Sequence, residues 1–336
     1  MEVQKHQLKD QVDFSVVKLS QKEADTYYHS VNELYDMYVE AAEHVIENEL
    51  FFDLGIPFNL VDAIKKSWEN DVHWHVYGAF LLSGGIDKQP IKLLGFEADT
   101  PSGLYDASQE QLEDSQFNDI YASISKNFKR LLTLDDGVEN FDERYDGWKI
   151  LFSSPSDDET KERDSRLLQQ MAEDAGFSCS FSYLHEVEFN EDGIHDENGE
   201  SYEYWCKNYS WLDMATDEGE LLTDITNIIN NQQAIIINPA YTALFESRGM
   251  MKVLQDLYPD SPYLLKTSFE EFEGSIEKTV FGEGPEYSNF KKIYQETQES
   301  KRKAKVFFAY EACGLSFSNE SETMDNISKF EAHVIS

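Results

Sequence analysis

Cysteine is scarce. The chain has three in 336 residues, and Cys179, Cys206 and Cys313 lie far apart with no CxxC pair. That excludes a disulfide framework and points to a reducing compartment. No apolar run approaches the ~20 residues of a membrane-spanning helix. The opening residues, MEVQKHQLKD, lack the apolar centre of a secretory signal. Basic residues are few: 28 Lys and Arg stand against 65 Asp and Glu, a net charge of −37. Such a surface repels phosphate backbones, which excludes nucleic acid as a partner. It either attracts a polycation or basic protein, or serves only to keep the chain in solution. There are no internal repeats and no low-complexity linker. These absences predict a cytoplasmic protein with no nucleic-acid or membrane partner, and with a basic protein as the partner to expect.

What is present is a core. Hydrophobic residues make up 40% and aromatics 13%, enough for one large domain or two coupled lobes. Ser20-Gln21-Lys22-Glu23 has the form of a capping box. Behind it Val31, Leu34, Tyr38, Ala41, Ala42 and Val45 recur at helical spacing, which predicts a helix over 21–49. Residues 73–82 and 90–97 read as strands joined by a turn at Ser83-Gly84-Gly85. A helical face runs from Ser108 to Leu132. Trp148–Phe152, a charged helix over 157–174 and Phe177–Leu184 form a β-α-β unit, hence a parallel pair. Hairpin tips fall near Asp192-Gly193 and Asn198-Gly199. Helices are expected at 217–231 and 240–257, with a strand at 234–237 between them and a strand-rich final third. The fold class is mixed α/β.

Six blocks then line up in a fixed order: KLLGFEADTPSGL (92–104), WCKNYSWLDM (205–214), INPAYTALFESRGMMKVLQDLYPDSPYLL (237–265), KTVFGEG (278–284), IYQE (293–296) and EACGLSFSNESETMDNISKFEAHVI (311–335). In this order the chain resembles the synthetase domain of the glutathionylspermidine synthase family, an ATP-grasp-type amide ligase. The likeness spans residues 15–336, leaves 1–14 as an N-terminal arm, and leaves no room for the amidase domain of bifunctional relatives. The resemblance implies an ATP-grasp-like α/β fold. It also implies a reaction in which ATP phosphorylates the glycine carboxylate of glutathione and a spermidine amine attacks the acyl phosphate. That chemistry needs Mg²⁺ on hard oxygen ligands and cations around the phosphates.

Residue by residue, the resemblance implies losses. Ala79 and Leu81 stand where the family has a phosphate-contacting Arg and a metal-binding Asp. Gly95 and Glu97 stand where it has a Glu and an Asn as further metal ligands, so Glu97 is a vestigial metal position. Glu283 falls near a phosphate-loop Arg, Ser318 near a C-terminal Arg, and the segment from Gly284 to Tyr294 implies a shortened nucleotide lid. Lys278, Arg248 and Gln295 are retained as a vestigial ATP site. Lys207, Asp99, Thr100 and Ser102 are retained at the substrate end, although Pro101 and Gly103 could preserve that loop for its turn alone. The cations in this set either bind an anion or pair with the abundant acids.

The reading that follows is a catalytically inactive, glutathionylspermidine synthase-like protein with no cofactor, acting as a binding or structural component of an assembly such as a viral particle. The alternative is an active carboxylate–amine ligase using ATP and Mg²⁺. If the cleft is vacated, Glu97 or Glu283 is expected to approach Lys278 or Arg248. His73 and His75 could face a metal but lack a third ligand. Trp205, Tyr209 and Trp211 read as core aromatics.

Overall fold

A computed structural model describes residues 17–86, 88–109, 119–132, 149–282, 288–297, 302–319 and 332–335. The expected N-terminal arm and Glu283 lie outside them. Strand β1 (Val17–Ser20) runs into helix α1 (Gln21–Glu47), whose N-terminus is closed by a capping box. Ser20 Oγ accepts from Glu23 N at 3.3 Å, and the Glu23 carboxylate accepts from Ser20 N at 2.8 Å. α2 (Val61–Asn70) and a single 3₁₀ turn, Val72–Trp74, lead to the hairpin strands β2 (Gly78–Ser83) and β3 (Lys92–Glu97). The strand expected over 73–82 therefore starts five residues late. After α3 (Leu104–Gln109) and α4 (Ile120–Leu131) come β4 (Lys149–Ser154), α5 (Glu159–Ala175) and β5 (Ser178–Tyr183). Strands β6 (Glu188–Asn190), β7 (Gly193–His195), β8 (Ser201–Tyr202) and β9 (Tyr204–Lys207) follow. Next are α6 (Trp211–Asp217), α7 (Gly219–Asn230), β10 (Ile235–Ile237), α8 (Thr242–Glu246) and α9 (Gly249–Leu257). The chain closes with β11 (Thr267–Ser268), β12 (Ser275–Thr279), β13 (Lys292–Glu296), β14 (Arg302–Ala309), β15 (Glu311–Asn319) and β16 (Ala332–Ile335).

Two four-stranded sheets form the body. One, in the order β10-β9-β4-β5, is parallel throughout, and its β4-α5-β5 segment is the expected parallel unit. The other, β15-β14-β2-β3, is antiparallel. Both are covered on both faces, because neighbouring residues of one strand enter different cores. Leu151 joins the core under α1, while Ile150 and Phe152 join the core under α4 and α5. Phe80 and Ala79 divide in the same way. That is why β4 and β10 read as continuous apolar runs. A three-stranded sheet, β11-β13-β12, stands beside this body, and β1 pairs in parallel with β16.

The single helix expected over 240–257 is two. Ser247 leaves helical geometry, its hydroxyl donates to Leu54 O at 2.6 Å, and it accepts from Gly249 N at 3.1 Å. A Cβ on Gly249 would sit 2.9 Å from Leu54 Cα, closer than packed carbons come, so this close approach requires glycine. The helix expected over 217–231 is found as α7, Gly219–Asn230, and a separate short helix, α6, ends just before it at Asp217.

Candidate functional site

Where β2 and β3 pair, Ala79 lies opposite Glu97 and Leu81 opposite Gly95, with a bulge between Leu81 and Leu82. Bulges of this kind re-aim side chains beside functional clefts. On the other side of β2, β14 brings Lys305 opposite Leu81 and Lys303 opposite Ser83. Lys305 is buried, and its Nζ donates to Glu97 Oε2 at 2.5 Å and to the Ser102 carbonyl at 2.9 Å. Glu97 Oε2 also accepts from Ser102 N at 3.3 Å. The one carboxylate of this strand pair is therefore already held by a lysine.

These strands form the floor of a cavity of about 450 Å³. Of the residues the sequence nominated, Glu97, Thr100, Ser102, Arg248 and Lys278 line it. Lys161, Lys303, Asp213 and Glu246 line it as well, and the sequence reading passed over all four. Arg248 stands at the junction of α8 and α9 and latches the small sheet's loop. Its Nη1 donates to the carbonyls of Thr279 at 3.0 Å and Gly282 at 2.6 Å, and its N–H to Val280 O at 2.7 Å. Lys278, on β12, donates to Gln295 Oε1 at 2.9 Å, and Gln295 in turn donates to Met251 Sδ. The carboxylate that was expected to reach these two cations from β3, Glu97, is instead paired with Lys305.

Asp99, Lys207 and Gln295 are buried away from the cavity wall. Lys207 Nζ donates to Asp99 Oδ1 at 2.6 Å and to Tyr209 O at 2.9 Å, while Asp99 Oδ2 accepts from Trp211 N at 2.7 Å. Lys207 and Asp99 expose 0% and 1% of their side chains, so the pair works as a tie beneath the floor. Burial pushes the Asp99 carboxyl up, with Lys207 pulling it back. Glu246, whose Oε1 accepts from Asp99 N at 2.9 Å, is pushed up to about 8 by burial and by the Asp99 charge. At neutral pH Glu246 therefore keeps its proton.

Asn238 completes the tie. Its Oδ1 accepts from Val76 N at 2.9 Å, and its amide nitrogen donates to the carbonyls of Tyr77, Ala98 and Asp99 at 2.9–3.0 Å. One buried side chain, at the end of β10 in the parallel sheet, thus holds the segments flanking β2 and β3 in the antiparallel one. Nothing in the local sequence marks it. Lys303 and Lys305 did leave a signal, the alternating R-K-A-K-V run of a strand with one polar face.

His75 is a core histidine. Its Nε2 meets Ala98 O at 3.1 Å, its Nδ1 meets Tyr35 OH at 3.2 Å, and burial lowers its pKa to about 4. His73 lies in the 3₁₀ turn, so the two do not alternate on a strand as expected. Trp205 and Trp211 are fully buried, their indoles donating to Ser153 Oγ and Asn238 O.

A Mg²⁺ pair does not fit these residues. Ala79, Leu81 and Gly95 offer no side-chain oxygen, and Glu97 is committed to Lys305. Among the described residues no group of three His, Cys, Asp or Glu side chains stands where it could hold a metal. No helix of the described residues is long and apolar enough to cross a membrane.

Against known proteins, residues 3–336 match the sequence family described as glutathionylspermidine synthase preATP-grasp. A Haemophilus influenzae protein that carries the provisional name acid–amine ligase is 25% identical over 267 residues. The match covers 75% of this chain and 62% of that protein, so the chain spans less than two thirds of that relative's length. Among solved structures, a glutathione synthetase-like effector of Globodera pallida, in its apo form, shares the fold with a TM-score of 0.57 at 9% identity. That likeness covers 95% of this chain and 89% of the other.

Proposed function

Because the chain belongs to the glutathionylspermidine synthase preATP-grasp family, we propose that it is a non-catalytic member that keeps the family's cleft as a binding site. One observation carries this. At the paired strands where the resemblance implies metal and phosphate ligands, the chain presents Ala79, Leu81 and Gly95, and its remaining carboxylate is tied to Lys305. Removing several groups that stabilise developing charge costs each its own factor in rate, commonly about 10²–10³. No side chain of the floor replaces them.

The cleft keeps its cations and its buried ties, which is what binding without turnover requires. The acidic surface supports a basic protein partner, as the charge balance implied. The experiment is incubation with MgATP, glutathione and spermidine, following ADP release and product mass. The expected result is no turnover. Product formation at the rate of an intact family member would establish the other reading, an ATP-dependent carboxylate–amine ligase, which the name of the Haemophilus influenzae relative favours.

A further inference from the structure

Among the described residues the two most exposed large hydrophobic side chains are Phe52, at 84%, and Phe58, at 94%. They belong to one loop, on the consecutive 3₁₀ turns Leu50–Phe52 and Phe58–Leu60 that join α1 to α2. A single exposed apolar side chain is ordinary, but two phenylalanines held out on one loop are not. The loop is also fixed. Leu54 O accepts from Ser247 Oγ at 2.6 Å, Asn59 donates to Ala215 O at 2.9 Å, and a Cβ on Gly55 would lie 2.5 Å from Val280 Cγ2. The rings therefore project from anchored backbone, so a partner that covers them has little loop entropy to overcome.

The surroundings define the partner. Between Lys207 and Arg248 the chain has no Lys, Arg or His. The turn at Phe58 packs on α6 and α7 from that stretch, whose junction exposes Asp217, Glu218 and Glu220. Asp62, at the start of α2, accepts from the uncharged Asn230 amide at 3.1 Å. The nearby lysines are already engaged, Lys291 with Asp53 at 3.2 Å and Lys65 with Glu49 at 2.6 Å. Such a rim repels a second copy of a chain carrying −37, and it repels a bilayer with anionic headgroups. The N–H groups of Asp53, Leu54, Gly55 and Ile56 are bonded to carbonyls of the loop itself, so the loop offers no row of donors to an added strand. The partner must bring a backbone that is already hydrogen-bonded. We propose that Phe52 and Phe58 form the docking site for an amphipathic helix of a basic protein, its apolar stripe covering the two rings and its lysines and arginines facing the acidic rim. The inference rests on the basic partner proposed above and gives that partner an address on the molecule.

Fluorescence anisotropy tests it with two labelled peptides of equal charge at near-physiological salt. One is a leucine–lysine helix with leucines at i, i+3, i+4 and i+7; the other has serine in place of each leucine. The full chain should bind the leucine peptide at least about tenfold more tightly. That preference should vanish in the double variant Phe52→Ser/Phe58→Ser, with circular dichroism showing the fold kept, and the two single variants serve if the double one does not fold. A preference that survives the substitutions would overturn the docking site while leaving a basic partner in place. Equal binding of the two peptides would overturn it in the same way, and binding of neither would remove the basic partner as well. Self-association of the chain that the substitutions abolish would overturn it by assigning the rings to a second copy, and flotation with phosphatidylcholine vesicles by assigning them to a membrane. ATP turnover in the ligase assay would instead overturn the non-catalytic reading, so the failures remain distinct.

Discussion

Glu246 shows how one buried acid sets a pH response. Folded, it keeps its proton up to about pH 8, against an ordinary value of 4.5. Between those values the folded chain holds a proton that the unfolded chain has released. Stability contributed by this group is therefore full below about 4.5 and is lost as pH rises to about 8. His75 acts in the opposite direction. Lowered to about 4 from 6.5, it stays neutral in the core while the unfolded chain charges, so stability falls as pH drops from 6.5 to 4. Glu246→Gln keeps an oxygen to accept from Asp99 N and has no proton to lose. The variant should gain on the native chain by several degrees of melting temperature between pH 5 and pH 8. A difference between the two proteins that stays constant across that range would show that Glu246 titrates normally.

Helix α1 supplies the stripe of Tyr27, Val31, Leu34, Tyr38 and Val45 against which the antiparallel sheet packs. Its start depends on the reciprocal Ser20–Glu23 bonds. Ser20→Ala should cost about 1 kcal/mol of stability, read from urea denaturation. A loss below about 0.3 kcal/mol would mean that the β1–β16 pairing, not the cap, sets where α1 begins. This element was legible because both its cap and its periodicity are local. So were the parallel unit and the hairpin tips. The break at Ser247 was not, since Ser247 leaves the helix to reach Leu54, far away in the chain. Lys305 was visible as a strand residue but not as a partner of Glu97, from which 208 residues of sequence separate it. Periodicity reports which face a side chain takes. It does not report what waits on that face.

At the scale of the molecule, the charge of −37 makes the folded state repel itself. Raising the salt from about 0.01 M to about 0.15 M shortens the screening length from ~30 Å to ~8 Å. The melting temperature should rise over that interval, and association with a basic partner should weaken over the same interval. A melting temperature that falls with salt would mean that surface ion pairs such as Lys65–Glu49 outweigh the net repulsion. The clamp at Asn238 acts on this same scale, joining segments of two sheets beneath the cleft while contributing no group to its wall. Shape and reactivity are thereby stored in different residues. A lineage can strip the wall of its reactive side chains one substitution at a time and still pass on the same vessel, free to be refilled with a different cargo.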